Sequence, residues 1–395
     1  MEFNPYDPAL HQDPYPIYRR LRDEFPVHHN AQLRFWTLSR YADVLAALQA
    51  PDLFISSKGV AVGIPDFDQA KATGGIPLLI TTDRPRHTKL RALVSRAFTP
   101  RRVAHLEPRI RSIARSLLDK LEGRDEFDLV HEFSAPLPTI VIAEMLGVPA
   151  EDQEWFKEKS TAVAQFDPSK AGGSETEAEA LKPAIELARY LAEILEQRRR
   201  DPRDDLLSAL LTAEIDGQRL SEPELIGFSF LLLVAGNETT TNLISNAAIL
   251  LDRGRDQRRL LTQDPARIPC AIEEFLRYDS PVQGLARTLT APVTLHGVTI
   301  PEGGKVLLLF GSANRDERKI AEPECFDVLR DPNPHVAFGF GAHFCLGANL
   351  ARLEARVAFE ELLARFPDYR MTESRVERTC SGPIRGALSL PVATA

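Results

Sequence analysis

The chain has 395 residues, a formal net charge of −8, 44% hydrophobic and 26% charged residues. This is an ordinary globular composition, long enough to bury a large core and a cofactor, and its negative charge argues against a general nucleic-acid surface. Cys270, Cys325, Cys345 and Cys380 form no C-x-x-C pair, so a structural zinc site is not expected, and their low number fits a reduced, cytoplasmic protein without disulfides.

Residues 1–7 are polar, with no basic segment leading into an apolar one, so neither signal peptide nor membrane anchor is expected. The longest apolar run, residues 230–235, is too short to cross a bilayer. The spacing of Tyr15, Ile17, Tyr18 and Leu21 predicts an amphipathic helix over 14–24. Residues 35–38 read as a strand, followed by a helix through Val44, Leu45 and Leu48. Glycines and prolines between 58 and 80 predict a long loop, and long loops in compact domains usually carry function. Near Pro85 a helix starts that puts His87 and Arg91 at i and i+4 on one face. That pair either holds an anionic ligand such as a carboxylate or forms a solvated basic face.

Further helices are predicted over 104–122, closing at Gly123, and over 136–146, stopped by Gly147-Val148-Pro149. Another spans 152–166, a flexible loop covers 167–176, and helix resumes through Arg200. No repeat or linker divides residues 1–395, so one domain is expected.

The clearest element begins at Ser221-Glu222-Pro223-Glu224, a capping box with proline in the first turn. Helical pattern then runs to Arg253 and stops at Gly254, a length of roughly 48 Å at 1.5 Å per residue. Its middle, 228–234, is apolar nearly all round and therefore buried. Ala235-Gly236-Asn237-Glu238-Thr239-Thr240 interrupts it. A buried carboxylate is costly unless paired, and such local violations often mark function. Thr239 can turn its hydroxyl back to the carbonyl of Ala235 and open the helix locally. An opened turn beside an acid offers a groove for water and a proton route.

Helix continues over 266–278, where Glu274 and Arg277 have the spacing of an ordinary helical ion pair. Residues 282–310 switch to period two around Val293, Leu295, Val298 and Ile300, a small β region that contains Arg287. A meander over 323–334 leads to residues 338–350, where Cys345 lies in a glycine- and phenylalanine-rich loop directly before a helix. The helix start favours thiolate, the metal-binding form, whereas a lone cysteine is more often a small buried hydrophobe. After the last helix, 382–386 forms a turn into a short terminal strand.

The cysteine loop reads Phe-x-x-Gly-x-His-x-Cys-x-Gly, with Phe338, Gly341, His343, Cys345 and Gly347 in place. It resembles the haem-binding signature of the bacterial cytochrome P450 family. His87/Arg91, the acid–alcohol motif Ala235–Thr240 and the Glu274/Arg277 pair occur in that family's order, so the resemblance covers essentially the whole chain. It implies a mainly α fold with small β-sheets and haem b (iron protoporphyrin IX) between the long helix and the helix after Cys345. It implies Cys345 as the only protein ligand to iron, with Ala235, Phe338, Gly339 and Gly347 around the cofactor. His87, Arg91, Arg287 and His343 would hold its propionates. Thr239 would hydrogen-bond dioxygen and Glu238 would feed protons, whereas Glu274, Arg277 and Arg330 would be scaffold.

The implied activity is a monooxygenase that oxidises a largely apolar organic molecule. Its electrons would come from a ferredoxin and its NAD(P)H-dependent reductase, since no flavin or iron–sulfur signature follows Gly382. Lys89, Arg96, Arg101 and Arg102 would dock the donor or form a solvated basic face. Leu231, Leu232, Ala235, and residues 76–80, 282–285 and 383–385 would line the substrate pocket under lids at 58–80 and 167–176. Within it, Gln283 and Arg385 would orient a polar group, although Arg385 could instead face the backbone. A monomer with no membrane or nucleic-acid partner is expected. A peroxide-driven peroxygenase and a non-catalytic haem sensor stand as alternatives.

Overall fold

The long helix occupies Glu222–Arg253, as its end signals predict. Glu224 accepts from both the backbone N–H and the hydroxyl of Ser221, at 2.9 and 2.8 Å, and the Gly254 N–H closes the far end on Leu250 O at 2.8 Å. Every residue from Thr240 to Leu251 is buried, as suits a helix that crosses the core. Around it pack Pro136–Met145, Gln153–Ala164, Ser174–Arg200, Ile268–Tyr278 and Ala348–Arg365, the last being the helix after the cysteine loop. The structure, a computed structural model, describes residues 3–63, 76–164, 174–379, 382 and 384–394.

The β portion is small and set to one side. Strands β1 (Val27–Asn30), β2 (Phe35–Leu38), β3 (Phe54–Ile55), β5 (Gly284–Leu289) and β8 (Lys305–Leu309) form one sheet in the order β1-β2-β8-β5-β3. Only β2 and β8 run parallel; the other neighbours are antiparallel. β4 (Glu126–Asp128) pairs with the terminal β10 (Pro391–Ala393), which also pairs with β9 (Arg370–Met371), and β6 (Val293–Leu295) forms a hairpin with β7 (Val298–Ile300). One large apolar cluster fills the helical part, and two smaller ones lie on the two faces of the larger sheet.

The single helix expected over 104–122 is instead two, Pro100–His105 and Glu107–Asp119. Thr99 caps the first, and Pro108, with no N–H to donate, restarts the second. The stop after Met145 has a packing reason: Gly147 has φ +72°, and a Cβ there would run into the Arg198 guanidinium and the Asp205 carboxylate. Most of both expected lids, Pro383 and Cys380 lie outside the described residues.

Candidate active site

A cavity separates the long helix from the cysteine loop. His87, Arg91, Ala235, Thr239, Arg287, Phe338, Gly339, His343, Cys345 and Gly347 all line it. Glu238 does not: it lies one residue round the helix from Thr239, half-buried and off the cavity wall.

The loop that carries Cys345 is held by its own backbone. Cys345 N–H donates to Phe338 O at 2.9 Å, Phe344 N–H to Gly341 O at 3.1 Å and Gly339 N–H to Val336 O at 2.9 Å. Gly341 has φ +71°, and a Cβ there would come within 2.8 Å of Leu48 O, so glycine is required. The Arg352 guanidinium stacks over the Phe338 ring at 4.6 Å. The expected preference for thiolate does not hold for the protein groups alone. Burial pushes the Cys345 thiol up, against the Gly347 N–H, Arg91 and Arg352, which pull it down. A metal charge is what would tip that balance to thiolate.

Opposite the loop's histidine, the helix Arg86–Ala97 brings in the cations. His87 and His343 face each other with ring centroids 4.1 Å apart. Burial holds both rings well below the usual imidazole range, His343 at about 3, with neighbouring cations adding to the effect. His87 Nε2 is buried with no hydrogen-bond partner among the described residues. Arg287, on β5, donates only to the carbonyl of its neighbour Ala286, and burial brings its guanidinium down to about 10. Asp83 lies close enough to oppose these shifts, and its carboxylate accepts from the backbone N–H of Ser56 and Ser57 at 2.8 and 3.0 Å. Ser56 Oγ lies 3.4 Å from His343 Nε2.

On the opposite wall, the Thr239 hydroxyl donates to Ala235 O at 2.6 Å, the back-bond its sequence position predicts. Gly236 is packed by Ile142 so closely that a Cβ would overlap it. Burial raises the Glu238 carboxyl to about 7. A second acid escaped the sequence reading. Glu354, on the helix after the cysteine, is fully buried and lines the cavity, and burial raises it to about 8 against a hydrogen bond with the Thr240 hydroxyl. Its Oε1 has no partner. Its signal was position: four residues past Leu350, it lies on the helix's apolar stripe.

The donor set fits haem b. The thiol lines the cavity beside Gly339 and Gly347, and among the described residues His87, His343, Arg91 and Arg287 converge with no carboxylate hydrogen-bonded to them, since nearby Asp83 is turned to the Ser56 and Ser57 N–H groups, as suits a site for two propionates. Among the described residues no three His, Cys, Asp or Glu side chains gather to hold a metal otherwise. A family profile described as Cytochrome P450 matches residues 18–264 and 268–388. The chain belongs to the cytochrome P450 family. Cytochrome P450 107B1 of Saccharopolyspora erythraea is 43% identical over 98% of this chain and 96% of its own length. The structure of cytochrome P450 CYP109Q5 from Chondromyces apiculatus superposes with a TM-score of 0.91 at 40% identity, covering 100% of this chain and 98% of its own. CYP109E1 from Bacillus megaterium, solved in complex with testosterone, gives 0.86 at 37% identity over 97% and 99%. As a cytochrome P450, the protein is a haem-thiolate monooxygenase that binds haem b.

Other expected residues of this P450 lie elsewhere. Leu231, Leu232, Leu79, Ile80, Val282 and Leu285 line the cavity, but Gln283 and Arg385 do not. Gln283 donates to Ser280 O at 2.6 Å. Arg385 is buried against Asp279 at 2.7 Å and the carbonyl of His11, which matches the backbone-facing alternative. Arg385 therefore serves the scaffold, whereas Gln283 is anchored through Nε2 and its buried Oε1 has no hydrogen-bond partner among the described residues. Arg96 is exposed and donates to Glu214 O at 2.6 Å. Glu274 and Arg277 are wholly buried and paired by two 2.7 Å bonds, with Arg330 at 3.3 Å as the third member. Among the described residues no helix is long and apolar enough to cross a membrane.

Proposed function

We propose that this P450 inserts one oxygen atom of dioxygen into a C–H bond of a largely apolar small organic molecule. The observation that carries this is the composition of the cavity wall away from the cations, where Ile80, Ile142, Phe228, Leu231, Leu232, Leu243, Val282, Leu285 and Phe310 converge. The testosterone complex of the Bacillus megaterium relative is consistent with such a ligand. When bound, haem supplies the one-electron and dioxygen chemistry. Cys345 would be its protein ligand, and His87, Arg91, Arg287 and His343 would hold its propionates. Ala235, Phe338, Gly339 and Gly347 would line its site.

The long helix handles protons. Thr239 turns its hydroxyl from Ala235 O into the cavity and hydrogen-bonds dioxygen. Glu238, half-protonated near neutral pH, takes protons from solvent and passes them inward. Electrons come from a ferredoxin and its NAD(P)H-dependent reductase. The donor rests on the cysteine side, where Phe344 is 38% exposed and a groove runs between Val103, Ile272, Leu353 and Arg356, with Arg101 and Arg102 exposed just before Val103 in the chain and Lys89 also at the surface. The chain acts as one cytoplasmic haem domain and as a monomer.

Two substitutions test this reading with the haem-loaded enzyme, a ferredoxin–reductase pair and NAD(P)H. Thr239→Ala keeps haem and substrate binding but releases hydrogen peroxide in place of product; normal coupling refutes the role given to Thr239. Cys345→Ser loses the red-shifted Soret band of the reduced carbonyl complex, and survival of that band refutes the ligand assignment.

A further inference from the structure

Glu273 stands beside the scaffold acid Glu274 but points the other way. It receives Arg352 Nε and Nη2 in two parallel bonds of 2.7 Å. His335 Nε2 lies 3.0 Å from Oε2 of the same carboxylate. The Ala337 N–H donates to His335 Nδ1 at 3.2 Å, so the ring proton sits on Nε2 and is donated to Glu273. One carboxylate thus grips both flanks of the cysteine loop, His335 before it and Arg352 after it. Burial opposes its charge, but the bonds from Arg352 and His335 prevail and hold it at about 2. Arg352 in turn lies 4.6 Å over Phe338, whose carbonyl accepts the Cys345 N–H and whose ring meets Phe344 edge-on at 6.3 Å.

We propose that Glu273 is a positioning residue for the iron ligand: it fixes the Arg352 guanidinium over Phe338 and neutralises it there, which sets the electrostatic field at Cys345 and hence how readily the haem is reduced. The inference rests on the reading of Cys345 as the haem ligand. An unpaired Arg352 adds positive charge beside the thiolate and favours the ferrous state, which carries one positive charge fewer. Loss of Arg352 leaves Glu273 uncompensated and favours the ferric state.

The test is a reductive titration of haem-loaded wild type, Glu273→Gln, Arg352→Gln and the double variant, each also scored for the reduced carbonyl band. Glu273→Gln shifts the ferric-to-ferrous ratio at fixed potential toward ferrous, and Arg352→Gln toward ferric, each by roughly tenfold. The double variant returns close to wild type, which a loss of packing would not do. Single variants that move the ratio in the same direction, or not at all, while the carbonyl band stays red-shifted, overturn the inference and leave the ligand assignment intact. Absence of the band in wild type overturns the ligand assignment instead. If Glu273→Gln fails to retain haem, Arg352→Gln still decides by the sign of its shift.

Discussion

Two carboxyls on touching helices lie wholly out of solvent, and they are treated in opposite ways. Glu274 is saturated: Oε1 takes Arg277 at 2.7 Å and the Asp327 N–H at 3.0 Å, and Oε2 takes Arg277 at 2.7 Å and Asn333 at 3.0 Å. Among the described residues, Glu354 meets the hydroxyl of Thr240, and its Oε1 has no hydrogen-bond partner. The contrast extends to their surroundings. Around Glu274, Arg277 also bonds the carbonyls of Asn314, Pro323 and Cys325, so the scaffold is complete within the chain. Around the cavity, among the described residues, His87 Nε2 lacks a hydrogen-bond partner and Arg287 bonds no carboxylate, which leaves both available to an anionic group. Buried polar groups are normally satisfied, and where a fold leaves several unsatisfied in one place, that place is built for something else to enter.

The comparison breaks most readily at its strong end. Glu274→Ala leaves a buried guanidinium unpaired and lowers stability by about 3–5 kcal/mol in urea denaturation, with or without haem. A loss below about 1 kcal/mol removes the distinction between the two acids. At the cavity the expected effect depends on pH. The folded Glu354 keeps its proton up to about 8, above the ordinary carboxylate value of 4.5. Its contribution to stability is therefore full below 4.5 and is lost as pH rises toward 8. Between pH 6 and pH 8 this costs wild type roughly 2 kcal/mol, and Glu354→Gln lacks that part of the slope in parallel denaturation series. An unchanged slope shows that Glu354 has a partner when folded. The smallest effect carries the sharpest sign. Arg287→Met removes a buried cation that is hydrogen-bonded to no carboxylate among the described residues, so the haem-free chain unfolds no more easily, while the loaded chain loses haem to an excess of apoglobin roughly tenfold faster. Destabilisation of the haem-free chain places Arg287 in the scaffold.

Most of the architecture was legible because its signals are local. Ser221, Glu224 and Gly254 mark both ends of the long helix, and Thr239 at four residues from Ala235 foretells its back-bond. What stayed hidden depends on long-range partners. Arg385 was open to facing substrate or the backbone until the fold placed Asp279 and His11 against it. Ile142 pressing on Gly236 joins residues from different helices, which no spacing rule foresees. The split at Leu106 was visible in Pro108, whose missing N–H was outweighed by the apolar periodicity around it.

The two bonds that the Ser56 and Ser57 N–H groups donate to the Asp83 carboxylate join the ends of the segment 58–82 at its base. Within the described parts of that segment, Val60 O accepts the Ala286 N–H, Val62 O accepts the Tyr6 hydroxyl, and Leu79 and Ile80 line the cavity. The Asp83 carbonyl in turn accepts the His87 N–H at 2.8 Å. The clasp is therefore a linkage: Asp83 cannot move without moving both the apolar wall at Leu79 and Ile80 and the helix that carries His87 and Arg91.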